Sequence, residues 1–261
     1  MRRRWQSAAA LVLGRSRKRS GGATETDTSS AAVPTSKDED VEPIPTMEVE
    51  ERGDSFWSRM PVHADRVLPH IFIGNYSSGA NRQFLAENNI TYILNMTMEK
   101  HTNRFEGITY LNLGLDDHAG ADISIFFKQA HDYLTTVRLE GAVALVHCHM
   151  GISRATTITM SHMLLGGKIY DDIDEHQENA KKFASRRAVD DKALRAAQVA
   201  PLTEQIALAD VWKLVSSRRK CASPNDGFFR HLELLEMRLT NRNSPTVKRS
   251  NMWGSKFMQG R

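Results

Sequence analysis

An α/β fold with a central, mostly parallel sheet of about five strands flanked by helices is predicted by three observations. Short apolar runs suited to buried strands alternate with stretches of helical spacing along residues 68–219. At 261 residues, 40% of them hydrophobic, the chain is long enough to bury one sizeable core. The apolar run 142–146 leads through a Gly-containing loop into a helical stretch, so the loop lies between a strand end and a helix N-terminus. That is where open α/β sheets hold ligands.

The elements follow in order. Residues 71–73 and 91–95 suit strands, with a helix at 80–87 between them, and 109–113 suits a third strand. Asp122 stands at the N-cap of a helix over 123–139, in which Ile123, Phe126, Phe127, Ala130 and Leu134 recur at helical spacing. The run 142–146 is a fully buried strand. Ile152, Thr156, Thr159 and Met163 mark the next helix, 154–165, which Gly166-Gly167 ends.

The turn between these last two elements reads His147-Cys148-His149-Met150-Gly151-Ile152-Ser153-Arg154. The first N–H groups of a helix lack intrahelical partners and carry partial positive charge, so an anion binds there. The same field and a neighbouring cation stabilise a thiolate, which makes Cys148 a nucleophile at neutral pH. Arg154 offers a planar fork that matches two phosphate oxygens. Gly151 permits the tight loop that turns the N–H groups of 149–154 inward, giving His149, Met150, Gly151, Ile152, Ser153 and Arg154 as phosphate-binding residues. The chemistry predicted is phosphoryl transfer to sulfur.

This signature resembles that of the cysteine-dependent dual-specificity protein phosphatases. Leu68-Pro69-His70-Ile71-Phe72-Ile73-Gly74-Asn75, Ile90-Thr91-Tyr92-Ile93-Leu94-Asn95-Met96 and Arg218-Arg219-x-x-x-Ser223-Pro224-Asn225-x-Gly227-Phe228 resemble further segments of that family in the family's order. The likeness covers residues 64–240 apart from one insertion. It implies a hydrolase of phosphotyrosine and/or phosphoserine and phosphothreonine on proteins, acting through a phosphocysteine. It also implies an atypical member, without the amino-terminal domain that docks MAP kinases.

The departing oxygen needs an acid, and the segment before the signature offers Asp116, Asp117 and Asp122. By similarity to the family pattern the acid is Asp117, with Asp116 the runner-up. Catalytic residues are therefore Cys148, Arg154 and Asp117. Ala155 departs from the family, where Ser or Thr helps the cysteine sulfur leave; without that hydroxyl the second step slows. Thr156 projects about 100° away on a helix and is a poor substitute. The loop interior between Cys148 and Arg154 holds no permanent charge, which favours a phosphoprotein over a polyanionic lipid. No metal or other cofactor is expected, since Arg154 and the backbone supply the charge stabilisation. The second function class is a phosphate-binding pseudophosphatase scaffold with little turnover, suggested by Ala155.

Composition changes along the chain. Residues 1–62 read as a disordered tail, with seven basic residues in the first 20 and then ten acids against Lys37 and Arg52 over 25–54. The catalytic domain is expected over 63–241, with a charged insertion at 168–205 read as a solvated, partly helical excursion or a kinase-docking element. Residues 242–261 form a basic C-terminal tail. The two cysteines, Cys148 and Cys221, are too few for a disulfide framework, which points to a reducing cytoplasm or nucleus. The Arg-rich start also fits a mitochondrial presequence. Expected partners are phosphoprotein substrates, a protein kinase among them, with no nucleic acid, no membrane span and a monomeric state.

Overall fold

The computed structural model describes residues 56–101, 104–167, 169, 173–186 and 205–250. Five strands form one sheet: β1 (Ala64–Leu68), β2 (Ile71–Gly74), β3 (Ile90–Asn95), β4 (Thr109–Asn112) and β5 (Val143–His147). Their order is β1-β2-β5-β3-β4. β1 pairs antiparallel with β2, and every other pairing is parallel. This is the predicted mostly parallel α/β sheet. The prediction overlooked β1, whose sequence Ala-Asp-Arg-Val-Leu carries charges because it is an edge strand.

β5 lies at the centre and all five of its residues are buried. Strand side chains alternate between faces, so a strand covered on both sides reads as one apolar run. Ala144 and Val146 join the larger core, while Val143 and Leu145 join the smaller one. The larger core is closed by α3 (Phe127–Leu139), α4 (Arg154–Gly166), α6 (Leu208–Arg218) and α7 (Asp226–Thr240). Phe84 and Leu85 of α2 (Arg82–Glu87) cover the other face with Phe72, Ile90 and Ile93.

Three elements depart in detail from the sequence reading. The helix expected over 80–87 is two short helices, α1 (Tyr76–Ala80) and α2, because Asn81 adopts an extended conformation and its side chain caps Phe84 N. The helix expected from 123 begins as a 3-10 turn over Ile123–Phe126, and Asp122 caps it through Ser124 N as predicted. The insertion contains α5 (Ile173–Arg186), which packs on α3. Arg138 Nη1 meets Glu175 Oε1 at 3.2 Å, and Asn179 Nδ2 donates to Arg138 O at 3.3 Å. Gly141, at φ 63°, has no room for a Cβ, which would lie 2.1 Å from Ala180 N. α5 is thus seated on the domain and not solvated all round. The rest of the insertion beyond 186 lies outside the described residues.

Ordered structure also exceeds the expected 63–241 at both ends. Phe56–Arg59 forms a 3-10 turn that Ser77 Oγ holds by donating to Trp57 O at 2.6 Å. Past Thr240 the chain turns back along α7, where Glu236, fully buried, accepts from Thr246 N, Thr246 Oγ1 and Leu208 N. A buried carboxylate needs such donors, and the segment expected as part of a basic tail supplies two of them. The expected tail and targeting segments over 1–55, and residues 251–261, lie outside the described residues. Among the described residues no helix is long and apolar enough to cross a membrane.

Candidate active site

Cys148 follows the last residue of β5, and α4 starts at Arg154, so the intervening loop faces the carboxyl end of the sheet. The scaffold holds its carbonyls one by one. Tyr76 N donates to His149 O (3.1 Å), Arg219 Nη2 to Met150 O (3.1 Å), Arg219 Nε to Gly151 O (2.5 Å) and Ser223 N to Ile152 O (2.9 Å). With the carbonyls held outside, the N–H groups are left for the interior. That of Gly151 reaches Cys148 Sγ at 3.2 Å. Gly151 has φ 66°, and a Cβ there would sit 2.3 Å from Gly74 O, so only glycine fits. Cys148 is 1% exposed.

Arg154 is 4% exposed and four of its five N–H groups have protein acceptors. Nη1 donates to Leu115 O (2.7 Å) and Met96 O (3.3 Å), Nη2 to His149 Nδ1 (3.2 Å) and Nε to Asp117 Oδ2 (3.2 Å). Asp117 therefore lies beside the loop from Cys148 to Arg154, brought there from the loop that follows β4. Its other oxygen accepts from Ser153 Oγ (2.7 Å) and Asn225 Nδ2 (2.9 Å). Gly227, in the first turn of α7, allows the loop that carries Asp117 to approach, since a Cβ there would lie 1.9 Å from Ala119 O. Asp116 is exposed and has no hydrogen bond to the cysteine loop.

Next to Cys148 in the chain, His147 is fully buried and its Nε2 lies 2.7 Å from His101 Nε2. Burial, with His101 beside it, pushes His147 well below the ordinary imidazole range, and burial pushes His101 down to about 4. Both rings are neutral at pH 7, one donating and the other accepting. Tyr76 stacks on His101 with centroids 4.6 Å apart and fixes its plane.

The structure brings together every predicted site residue. Cys148, His149, Met150, Gly151, Ile152, Ser153 and Arg154 form one loop, and Asp117 reaches it through Arg154 and Ser153. At position 155 the side chain is buried alanine, and Thr156 Oγ1 has no protein hydrogen-bond partner, so it does not stand in for the missing hydroxyl. Sequence reasoning assigned no task to Arg219, Asn225, Gly227, Glu99 or Trp57. Arg219, Asn225 and Gly227 stood in the quoted Arg218-Arg219 and Ser223-Pro224-Asn225-x-Gly227 segments. Nothing in the sequence marked Glu99 or Trp57.

Comparison with known proteins agrees with this geometry. Residues 71–172 match the dual specificity phosphatase catalytic domain. The chain is 26% identical over 193 residues to human protein phosphatase Slingshot homolog 3, covering 74% of this chain and 23% of that protein. With human dual specificity protein phosphatase 7 it is 31% identical over 124 residues, 46% of this chain and 29% of that one. The chain thus spans under a third of the length of either relative. A variant of human DUSP28 aligns over 69% of this chain and 99% of its own at TM-score 0.51 and 20% identity. A mouse protein solved with zinc tungstate aligns over 73% and 95% at TM-score 0.50 and 21% identity. Likeness at these identities is likeness of fold. Taken with the loop built around Cys148 and Arg154, the matches show that residues 71–172 resemble the catalytic domain of the dual-specificity phosphatases.

Proposed function

We propose that this chain is a protein phosphatase that hydrolyses phosphotyrosine, phosphoserine or phosphothreonine on proteins through a phosphocysteine. The observation that carries the reading is the convergence of Cys148, Arg154 and Asp117 on one loop whose carbonyls from His149 to Ile152 are each held by the surrounding scaffold. In the first step Cys148 Sγ bonds to phosphorus as the phosphorus–oxygen bond breaks, and Asp117 gives its proton to the departing oxygen. Loop N–H groups and Arg154 hold the equatorial oxygens. In the second step Asp117 takes a proton from water, the water oxygen bonds to phosphorus, and the thiolate leaves.

A bound phosphoester would exchange with these contacts. Arg154 Nε is bonded to Asp117, so the phosphate replaces a carboxylate as the partner of that donor. The exchange keeps a charge-assisted bond on the guanidinium while freeing Asp117 for the leaving oxygen. Asn225 and Ser153 remain as its guides. Among the described residues the Gly151 N–H is the donor to the Cys148 sulfur and Ala155 adds none, so release of sulfur is the slow step of the proposed reaction. The competing reading, a scaffold that binds phosphoproteins without turnover, rests on that position.

Turnover of an aryl phosphate by the purified chain separates the two readings. A rate above that of a Cys148→Ser control is expected, and none above it would leave only the binding scaffold. Asp117→Asn is expected to lower kcat roughly a hundredfold on an alkyl phosphoester and to flatten the acidic dependence of kcat. Full activity in that variant would move the acid elsewhere, with Asp116 the next candidate. Phosphoproteins, a protein kinase among them, are the substrates to test, and trapping with Cys148→Ser is the direct route to them.

A further inference from the structure

His149 is the one side chain of the nucleophile loop whose two ring nitrogens both have charged partners. Arginine has donors only, so Nδ1, 3.2 Å from Arg154 Nη2, is the acceptor of that bond. The ring hydrogen is then on Nε2, which donates to Glu99 Oε2 at 2.7 Å. The flat face of the ring lies against the Trp57 indole, with centroids 4.4 Å apart and planes 8° from parallel. Both supports are themselves held. Glu99 O accepts from Asn95 Nδ2 at 2.7 Å and from Thr97 Oγ1 at 2.8 Å, and Asn95 is fully buried at the end of β3. Trp57 is held through its carbonyl by Ser77.

This arrangement matters when Asp117 leaves Arg154 to serve the departing oxygen. The guanidinium then keeps its Nη1 bonds to Met96 O and Leu115 O along one edge and its Nη2 bond to His149. With His149 held, Nε and the second Nη2 hydrogen face the phosphate as a fork. An imidazole free to turn or to exchange tautomers would leave Nη2 without a fixed partner. We propose that Glu99 and Trp57 are positioning residues of the phosphate site: Glu99 fixes the tautomer of His149, Trp57 fixes its plane, and His149 thereby orients Arg154. The inference rests on the proposed phosphate chemistry of the loop.

Charge and positioning oppose each other at Glu99. Its carboxylate repels an anion, so deleting the charge alone tightens anion binding slightly through a half-exposed, screened field. Deleting the acceptor loosens Arg154 and weakens binding. Glu99→Gln removes only the charge, because an amide oxygen still accepts from Nε2. Glu99→Ala removes both.

The test is calorimetric binding of orthovanadate to the purified full chain, which does not require turnover, alongside kcat and KM for an aryl phosphate. Thermal melts establish that each variant is folded. Glu99→Ala and Trp57→Ala are expected to raise the vanadate Kd and the KM by roughly three- to tenfold, about the worth of one hydrogen bond to a charged group. Glu99→Gln is expected to stay within about twofold of the parent. In a His149→Ala background, Glu99→Ala adds nothing further. Equal shifts in the Ala and Gln variants, or no shift in either, overturn the positioning role. A parent chain that binds vanadate without turnover overturns the phosphatase reading and leaves the positioning role measurable. A parent that binds no vanadate overturns both.

Discussion

A fully buried arginine is tolerated only where each of its N–H groups finds an acceptor, and Arg219 meets that condition. Nε donates to Gly151 O, Nη1 to Asp65 Oδ2 (2.8 Å) and Ile73 O (3.1 Å), and Nη2 to Met150 O and His63 Nδ1 (3.4 Å). One side chain thus ties β1, β2 and the Cys148–Arg154 loop together. Arg219→Ala is expected to destabilise the domain by about 3–5 kcal/mol, since it strands several buried acceptors at once. It should lower kcat/KM for an aryl phosphate more than roughly tenfold. Lysine lacks the planar fork and should rescue neither. A melting temperature and kcat/KM within error of the parent would show that the loop holds its shape alone. At Ala155 the expectation is opposite in sign. Ala155→Ser places a hydroxyl one residue after Arg154 and should raise kcat a few-fold by donating to the leaving sulfur. A pre-steady-state burst that shrinks as kcat rises would locate the gain in the second step. At this scale the sequence was informative where chemistry demands a residue type, as at Cys148 and Arg154. It was silent on Glu99, whose partner His149 lies 50 residues away and is met only through the fold.

Helix α5 shows how an element's neighbours decide what it does. Its first turn contains Asp174 and Glu175, and its sequence alone reads as a charged excursion. Packing against α3 gives it a seat at Gly141, two residues before β5 begins and so at the opposite end of that strand from Cys148. Removal of 168–205 is therefore expected to lower the melting temperature while leaving aryl phosphate turnover intact well below it. Loss of turnover in a truncated chain that still melts cooperatively would make the insertion part of the catalytic machinery. Gly141→Ala tests the seat more gently. The left-handed φ alone costs about 1–2 kcal/mol with a Cβ, and the contact with Ala180 adds to it. Hydrogen exchange in α5 should rise in that variant ahead of exchange in β5. The split of the expected 80–87 helix has a similar origin. Asn81 carries a side chain able to cap, and whether it caps or continues a helix depends on where α1 must aim to cover the sheet.

Across the whole molecule, several buried histidines stay neutral. Burial, then the charge of Arg138, pushes His70 down to about 3, and burial pushes His101 down to about 4. Burial also lowers His131, His147 and His162, the last two well below the ordinary range. Above about pH 6.5, the unfolded imidazole value, these groups are neutral in both states and their full contribution to stability is present. Below it the unfolded chain takes up protons that the folded chain refuses. Stability then falls with pH, down to about 4 for His101 and about 3 for His70. Each group contributes at most about 1.4 kcal/mol per pH unit in that window. Thermal melts between pH 7 and 5, above the carboxylate range, should show a steep decline, and a flat profile would mean that the histidines are protonated in the fold.

The parallel sheet and the strand-to-helix turn with Cys148 and Arg154 on one loop were legible in the sequence. Apolar periodicity and the spacing from Cys148 to Arg154 are local properties that survive without tertiary context. Which oxygen meets which donor emerges on packing: the hold of Asp117 by Asn225 and Ser153, the seat of α5, and the clamp of Arg219 on the loop. Those contacts join residues as far apart as Asp65 and Arg219, and their geometry arises when the sheet and helices pack, not from any pattern along the chain.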